Sequence, residues 1–158
     1  MSGFIRGALV GFVVLLFGIQ LIRPARTNPV AEPSRTLEAT VPVPPQVETI
    51  LRRACYDCHS DLTEWPWYSN VAPISWFLID HVNGGRRHAN FSEWLTYNAK
   101  DTKDPTEFTL QRFHSICRQV QTHTMPLTSY LLLHPAARLS QSDIDTICQW
   151  TDTGFHRK

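Results

Sequence analysis

The sequence CYDCH at residues 55–59 constrains this chain more than any other feature. A C-x-x-C-H pentad is typical of the covalent attachment of c-type haem. The two thiols can form thioethers with the vinyl groups of one porphyrin, and the histidine that follows can ligate the iron. A redox dithiol or half of a zinc site would also use C-x-x-C. The adjacent histidine favours haem, so we predict one haem c held covalently by Cys55 and Cys58, with His59 as the proximal iron ligand.

The N-terminal residues form an apolar stretch, from 7 to 22, whose only strongly polar member is Gln20. A helix over this stretch would be about 24 Å long, close to the hydrocarbon thickness of a bilayer if Arg6 reached the headgroups. A cleaved signal peptide is the alternative, but the flanking segments lack small residues at the −3 and −1 positions of a cleavage site. We therefore predict an uncleaved transmembrane anchor at residues 1–22, with membrane lipid as its partner.

The charges beside this stretch and the haem motif favour opposite orientations. Arg23 and Arg26 outnumber Arg6, which by the positive-inside rule would keep the C-terminal part in the cytoplasm. Haem is normally attached to this motif on the outer side of the bacterial membrane, and we give this more weight than the count of positive charges. The expectation is a single-pass protein of the bacterial inner membrane with its haem domain in the periplasm.

Residues 23–46 hold six of the eleven prolines and show almost no periodic apolar pattern. This composition is typical of a semi-extended linker. It predicts that the globular domain occupies residues 47–158.

Apolar residues recur at helical spacing in four segments of that domain. The segments are 47–54, 73–87, a third that opens at 104, and a fourth that begins at 140. Asp104 and Ser140 are the predicted N-caps of the last two. Because no segment alternates convincingly as a strand, the predicted fold class is all-α, a cytochrome c-like haem domain behind a single N-terminal transmembrane helix.

The two cysteines outside the haem motif, Cys117 and Cys148, each lie on the buried stripe of a different predicted helix. They would form a disulfide in an oxidising compartment if those helices pack together. A packed pair of free thiols remains the alternative.

Several longer segments carry a resemblance to a known family. They are CYDCHSDLTEWPWYSNVAPISW at 55–76, HVNGGRRHANFSEW at 81–94, Met125-Pro126, and YLLLHPAARLS at 130–140. The chain resembles the bacterial haem-binding domain family, small membrane-tethered proteins described as c-type haem domains. The resemblance implies the fold and the cofactor more directly than a physiological role.

The sixth iron ligand is a separate question, for which Met125 is the leading candidate. Pro126 fixes the backbone after it, so its thioether can project from a rigid loop. A methionine opposite a histidine raises the reduction potential and suits an electron carrier. His81, on the apolar side of the second helix, is the alternative ligand, and His123 or an open position remains possible. The other histidines, His88, His114, His134 and His156, are predicted to be surface or structural residues.

Aromatic and basic residues supply candidates for the haem pocket. Trp67 and Tyr68 are predicted to cover the apolar plate of the haem, although ordinary core packing would also explain them. Arg86 is a candidate partner of the haem propionates, whose charges are costly to bury alone. The carboxylates near the motif, Asp57, Asp61 and Glu64, are explained by a solvated acidic edge.

Charge and motifs narrow the function. The net charge of +1 gives no sign of a nucleic-acid partner, and the chain has no Ser-His-Asp pattern, phosphate loop or second haem motif. The leading expectation is a non-enzymatic carrier of single electrons that works with redox proteins of unknown identity. A peroxidase-like haem enzyme, or a haem-based sensor of redox state or gas, is the alternative and would need an open or displaceable sixth position.

Overall fold

The computed structural model describes residues 2–94 and 104–153 and contains no strand among them. The helices are α1 (Ser2–Ile19), α2 (Leu37–Thr40), α3 (Pro45–Ala54), α4 (Tyr56–His59), α5 (Ile74–His88), α6 (Pro105–Gln121), α7 (Thr128–Leu131) and α8 (Gln141–Thr153). Short 3₁₀ turns lie at Pro33–Arg35, Trp67–Asn70, Phe91–Glu93 and Pro135–Ala137. The all-α prediction is confirmed. His156 lies outside the described residues.

The four longer helices of the domain, α3, α5, α6 and α8, form where the apolar periodicity predicts them. The buried side chains of α3 are Val47, Ile50, Leu51 and Ala54, the i, i+3, i+4, i+7 pattern of one helical face. The carboxylate of Asp104 accepts from the amide of Thr106 at 2.8 Å and caps α6. Ser140 and Asp143 exchange side chain to backbone hydrogen bonds at the start of α8, as in a capping box.

Two groups of buried residues hold the helices together. The larger combines the N-terminal part of the domain with α6 and α8: Leu37, Val41, Val47, Leu51, Tyr56, Phe91, Trp94, Phe113 and Trp150. The smaller lies where α3, α6 and α8 meet: Ile50, Val120, Ile144, Ile147 and Cys148. The haem motif is thus attached to a packed three-helix core through the end of α3.

The disulfide candidates are bonded in the structure, where Cys117 of α6 and Cys148 of α8 have Cα atoms 4.8 Å apart. The bond closes a loop between residues 31 positions apart in sequence. It therefore restricts the unfolded chain and secures α6 against α8.

Removing this bond is the first prediction. The Cys117→Ser/Cys148→Ser variant should lose about 3–4 kcal/mol of unfolding free energy in the chain-entropy model, measured by urea denaturation under oxidising conditions. Dithiothreitol should lower the stability of the wild type by a similar amount and leave the variant unchanged. An equal effect of dithiothreitol on both proteins would contradict the prediction.

The N-terminal helix corrects one expectation. None of the helices in the part of the chain that the structure describes is long and apolar enough to cross a membrane. Helix α1 ends at Ile19, and the charged Arg6 lies in its second turn. The uncharged part of the helix after Arg6 is therefore about 20 Å long. A membrane-spanning helix has to cross roughly 30 Å of hydrocarbon. The predicted transmembrane helix is not supported, and the single-pass inner-membrane location with a periplasmic haem domain is wrong.

The segment predicted as a linker makes many contacts with the domain. Leu37 and Val41 are 0% and 4% exposed, and the carbonyl of Arg35 accepts from the amide of Trp94 at 2.8 Å. Closer to α1, the carboxamide of Gln20 bonds both the carbonyl and the amide of Ala72, at 3.0 and 2.9 Å. Residues 20–46 therefore pack along the domain, and the side chains of Leu37 and Val41 lie in its core.

Candidate haem site

The haem motif forms a single helical turn directly after α3. The amide of Cys55 closes α3 by donating to Leu51, and the carbonyl of Cys55 accepts from the amides of Cys58 and His59 at 3.2 and 2.9 Å. Both Cys55 and Cys58 are free thiols. Because they are three positions apart on one turn, their side chains are neighbours on the helix surface.

A backbone carbonyl fixes the orientation of the His59 ring. Its Nδ1 lies 3.0 Å from the carbonyl oxygen of Ala89, just after α5. A carbonyl only accepts, so Nδ1 carries the proton, and in the neutral ring Nε2 is then the unprotonated nitrogen. Burial lowers the pKa of the imidazole, and the hydrogen bonds to the backbone of Ala89 and Gly85 offset only part of this shift. The result is a neutral, oriented imidazole, the form that ligates metals.

The environment of the two thiols disfavours the other uses of C-x-x-C. Burial raises the pKa of Cys55 to about 12, and burial together with the Asp57 carboxylate raises the pKa of Cys58 to about 11. A redox dithiol needs a lowered thiol pKa, because the thiolate is the nucleophile. Across residues 2–94 and 104–153, no group of three or more His, Cys, Asp or Glu side chains is arranged to hold a metal ion.

Helix α5 approaches the motif so closely that a glycine is required. A Cβ atom added at Gly85 would lie 3.1 Å from the carbonyl carbon of Cys58, and closer still to its oxygen. The same Cβ would lie 3.3 Å from the Cβ of Cys58. The contact is with the backbone of the motif, so it cannot be relieved by rotating a side chain.

This contact gives a prediction with a matched control. Gly85→Ala should destabilise the protein by about 1–3 kcal/mol, since it overpacks a backbone contact, and should displace the motif. Gly84→Ala should be neutral or stabilise by up to about 1 kcal/mol, because it adds helix propensity and its Cβ would have only the Arg87 side chain nearby, at 3.7 Å. Thermal unfolding of the two variants tests this. Equal stabilities would contradict the close approach.

A small cleft of about 10 Å³ lies beside the motif, and of the predicted haem-site residues Cys58 and Tyr68 line it. Its lining residues are Asp57, Cys58, Thr63, Glu64, Pro66, Tyr68, Leu78, Val82, Tyr130 and His134. The predicted pocket residue Tyr68 lines this cleft, and its neighbour Trp67 is 79% exposed. Leu132 and Leu133, between the lining residues Tyr130 and His134, are 78% and 61% exposed. Trp67, Leu132 and Leu133 are thus exposed apolar residues adjacent in sequence to residues that line the cleft.

One carboxylate of the motif connects α4 to the other wall of the cleft. The phenol of Tyr130 donates to Oδ2 of Asp57 at 2.7 Å, and the amide of Glu64 donates to Oδ1 at 3.1 Å. The ring of His134 stacks on the ring of Tyr130, with centroids 4.0 Å apart and planes 12° apart. Asp57 is thus a structural acceptor rather than part of a solvated edge.

Arg86 holds the turn after the motif. Its guanidinium donates to the carbonyl of Ser60, the carbonyl of Thr27, and the side chains of Asn28 and Thr63, at 2.7–2.9 Å. It also lies 3.5 Å from Asp61, which is 4% exposed. The predicted propionate partner is therefore bonded to protein groups, and Asp61 is a buried ion-pair partner rather than a solvated carboxylate.

The candidates for the sixth ligand lie outside the set of residues that line the cleft. Met125 is half-buried in the loop after α6, where its amide and that of Thr124 donate to the carbonyl of Gln119 at 3.2 and 3.0 Å. The Nδ1 of His81 lies 2.8 Å from the carbonyl of Phe77. His123 is exposed, lies two residues after the end of α6, and has a φ of 54°.

A family model described as the haem-binding domain matches residues 14–153. The chain belongs to the haem-binding domain family. Searches of curated proteins and of solved structures found no significant match.

The residues of this haem-binding domain fit the group that its family implies. Two free thiols and an imidazole with an unprotonated Nε2 occupy one helical turn. Trp67, Leu132 and Leu133 are exposed apolar side chains of the kind that a flat apolar group can cover. Cys55 and Cys58 would hold the haem, and His59 would ligate its iron.

Sequence reasoning missed several residues of this haem-binding domain. Gly85 was a detectable signal, because glycine inside a helical pattern often marks a close backbone approach. Tyr130 lies four positions before His134, which was predicted to be a surface or structural residue, and this spacing was a signal that the two side chains could meet. The role of Ala89 had no signal, since any residue can offer its carbonyl.

Proposed function

We propose that this haem-binding domain attaches one haem covalently through Cys55 and Cys58, ligates it with His59, and carries single electrons. The observation that supports the proposal most directly is the hydrogen bond from His59 Nδ1 to the Ala89 carbonyl, beside two free thiols. This bond prepares Nε2 as a ligand before any iron is present.

The thiols are suited to thioether formation. Addition of each S–H across a vinyl group joins sulfur to one vinyl carbon and hydrogen to the other, so the reaction needs no oxidant. It does need reduced cysteines, and Cys55 and Cys58 are unpaired while the other two cysteines are bonded to each other. Because Cys117 and Cys148 are bonded to each other, they have no free thiol that could react with the vinyl groups.

Haem, when bound, supplies a one-electron couple between ferric and ferrous iron. The protein contributes the ligands and the covering surface. Met125 is the proposed distal ligand, since Pro126 fixes the backbone after it and a methionine ligand would suit an electron carrier. Tyr68 and Trp67 are the proposed aromatic cover. A carrier of this kind works with a donor and an acceptor protein and performs no bond chemistry of its own.

Two measurements on the purified protein test the proposal. Extraction with acidified organic solvent should leave the haem on the polypeptide, whereas extraction of free haem would overturn covalent attachment. Optical and EPR spectra in both oxidation states should then show low-spin iron. High-spin iron that binds cyanide or carbon monoxide at once would favour the haem enzyme or sensor over the electron carrier.

A further inference from the structure

Ala89 presents the carbonyl that accepts from the ring of His59, and it lies where α5 ends. It is the C-cap of the helix, has an extended backbone, and donates its amide to the carbonyl of Gly85 at 2.9 Å. The helix therefore holds the amide side of Ala89. The carbonyl side belongs to the planar peptide unit that continues into Asn90, so the direction of this carbonyl depends on what holds Asn90.

The side chain of Asn90 is bonded at both ends of its amide group. Asn90 is 8% exposed, its Oδ1 accepts from the amide of Ser92 at 2.9 Å, and its Nδ2 donates to Oδ1 of Asp61 at 3.0 Å. These roles agree with the partners, because a backbone amide only donates and a carboxylate only accepts. Asn90 is thus fixed both by its own turn and by a carboxylate from another part of the chain.

Asp61, the acceptor, is buried and has further partners. It is 4% exposed, and its amide donates to the hydroxyl of Ser92 at 3.0 Å. Its carboxylate lies 3.5 Å from the guanidinium of Arg86. Two hydrogen bonds therefore join Asp61 to residues 90–92, and an ion pair joins it to α5.

These contacts close a ring of covalent bonds and hydrogen bonds around the proximal histidine. From His59 the chain leads through Ser60 to Asp61. A hydrogen bond joins Asp61 to Asn90, and one peptide unit joins Asn90 to Ala89. The carbonyl of Ala89 then accepts from His59 at 3.0 Å. We call the bond between Asn90 and Asp61 the Asp61 clasp. Because Asp61 is two residues from His59, the clasp fixes the carbonyl relative to the histidine itself.

We propose that Asp61 and Asn90 are positioning residues for the proximal iron ligand, and that together they hold the carbonyl of Ala89 against Nδ1 of His59. This role rests on the proposed function, because it requires His59 to ligate the iron. A hydrogen bond from Nδ1 makes the ligating nitrogen more basic. A more basic ligand favours ferric iron, so the clasp lowers the reduction potential from the proximal side.

Three variants separate the parts of the clasp. Asn90→Ser leaves a hydroxyl that can still accept from the amide of Ser92, as in a helix N-cap, but this side chain is too short to reach Asp61. Asp61→Ala removes the acceptor altogether. Asp61→Asn keeps an oxygen that can accept from Asn90, and it is the conservative variant that should restore the wild-type behaviour.

The chain also offers a matched control, in which a hydrogen bond to a carboxylate is lost elsewhere in the haem motif. Tyr56 is 6% exposed within the larger group of buried residues, and its phenol donates to the carboxylate of Glu38. This bond does not include Asp61 or Asn90. Tyr56→Phe should therefore lower the melting temperature and leave the clasp unchanged.

The test uses the haem-loaded protein, after haem content has been determined for each variant. The Nδ1 proton of His59 is followed by NMR in the ferrous protein under carbon monoxide, where the iron is diamagnetic, and the reduction potential is measured by potentiometry. In Asn90→Ser and Asp61→Ala the Nδ1 proton should move upfield and exchange with D₂O about tenfold faster, because a hydrogen bond to a charged acceptor is lost. The potential of both variants should rise. Asp61→Asn and Tyr56→Phe should keep the wild-type resonance and potential.

A wild-type resonance and potential in Asn90→Ser would overturn the clasp. Equal shifts in Tyr56→Phe would overturn it too, because general destabilisation would then explain them. So would shifts in Asp61→Asn as large as those in Asp61→Ala. If Asp61→Ala does not fold, Asn90→Ser and its control decide the matter. Each of these results leaves the proposed function intact. A wild type without covalent haem would overturn both proposals, and the haem determination separates that outcome from the others.

Discussion

Replacing Cys55 and Cys58 together with alanine is expected to abolish covalent haem attachment completely. Both thioethers need a thiol, and across residues 2–94 and 104–153 the other cysteines are joined to each other. Haem that binds through His59 alone should extract into acidified organic solvent. The measurement is the haem that remains with the denatured polypeptide.

Two controls separate attachment from folding in this experiment. The Cys117→Ser/Cys148→Ser variant also removes two cysteines and should keep its covalent haem, although it is less stable. Each single variant, Cys55→Ala or Cys58→Ala, should retain one thioether and resist extraction. Undiminished haem on the denatured double variant would contradict the assignment of the thioethers to Cys55 and Cys58.

Met125→Ala is expected to remove the weak near-infrared band of sulfur-to-iron charge transfer from the ferric protein while both thioethers remain. Its reduction potential should fall, because a thioether opposite histidine favours ferrous iron. Axial ligands span roughly 0.8 V of haem potentials, so potentiometry should resolve the change.

The histidine variants complete this test. Met125→His should keep the iron low-spin and lower the potential. If Met125→Ala left the spectrum unchanged and His81→Ala turned the iron high-spin, the distal ligand would be His81, which would still give an electron carrier. If neither substitution had an effect and exogenous ligands bound the wild type directly, the enzyme or sensor alternatives would gain support.

The longer helices of the domain could be predicted because their apolar residues repeat at helical spacing. The observed helices α3, α5, α6 and α8 begin within about two residues of the predicted starts, which is within the usual variation of helix ends. The haem motif could be recognised because its chemistry lies in adjacent residues. In both cases the information is local in sequence.

The features that could not be predicted depend on contacts between distant residues. Arg86 reaches Thr27 and Asn28, 59 and 58 positions away, and its charge alone suggested a propionate partner. Leu37 lies on a helix of four residues, too short to show a period. The transmembrane prediction failed for a different reason: apolar composition gives a candidate span, but the length of the helix decides whether it can cross.

The hydrogen bonds of Arg86 affect how this protein unfolds locally. One guanidinium bonds Thr27 and Asn28 near the N-terminus and also Ser60, immediately after His59. Segments that share hydrogen bonds tend to unfold together as one unit. Neither segment can detach without breaking the hydrogen bonds that also hold the other. Residues 27–28 and the motif turn therefore belong to one cooperative unit. Fraying at residues 27–28 would therefore also loosen the turn that carries His59.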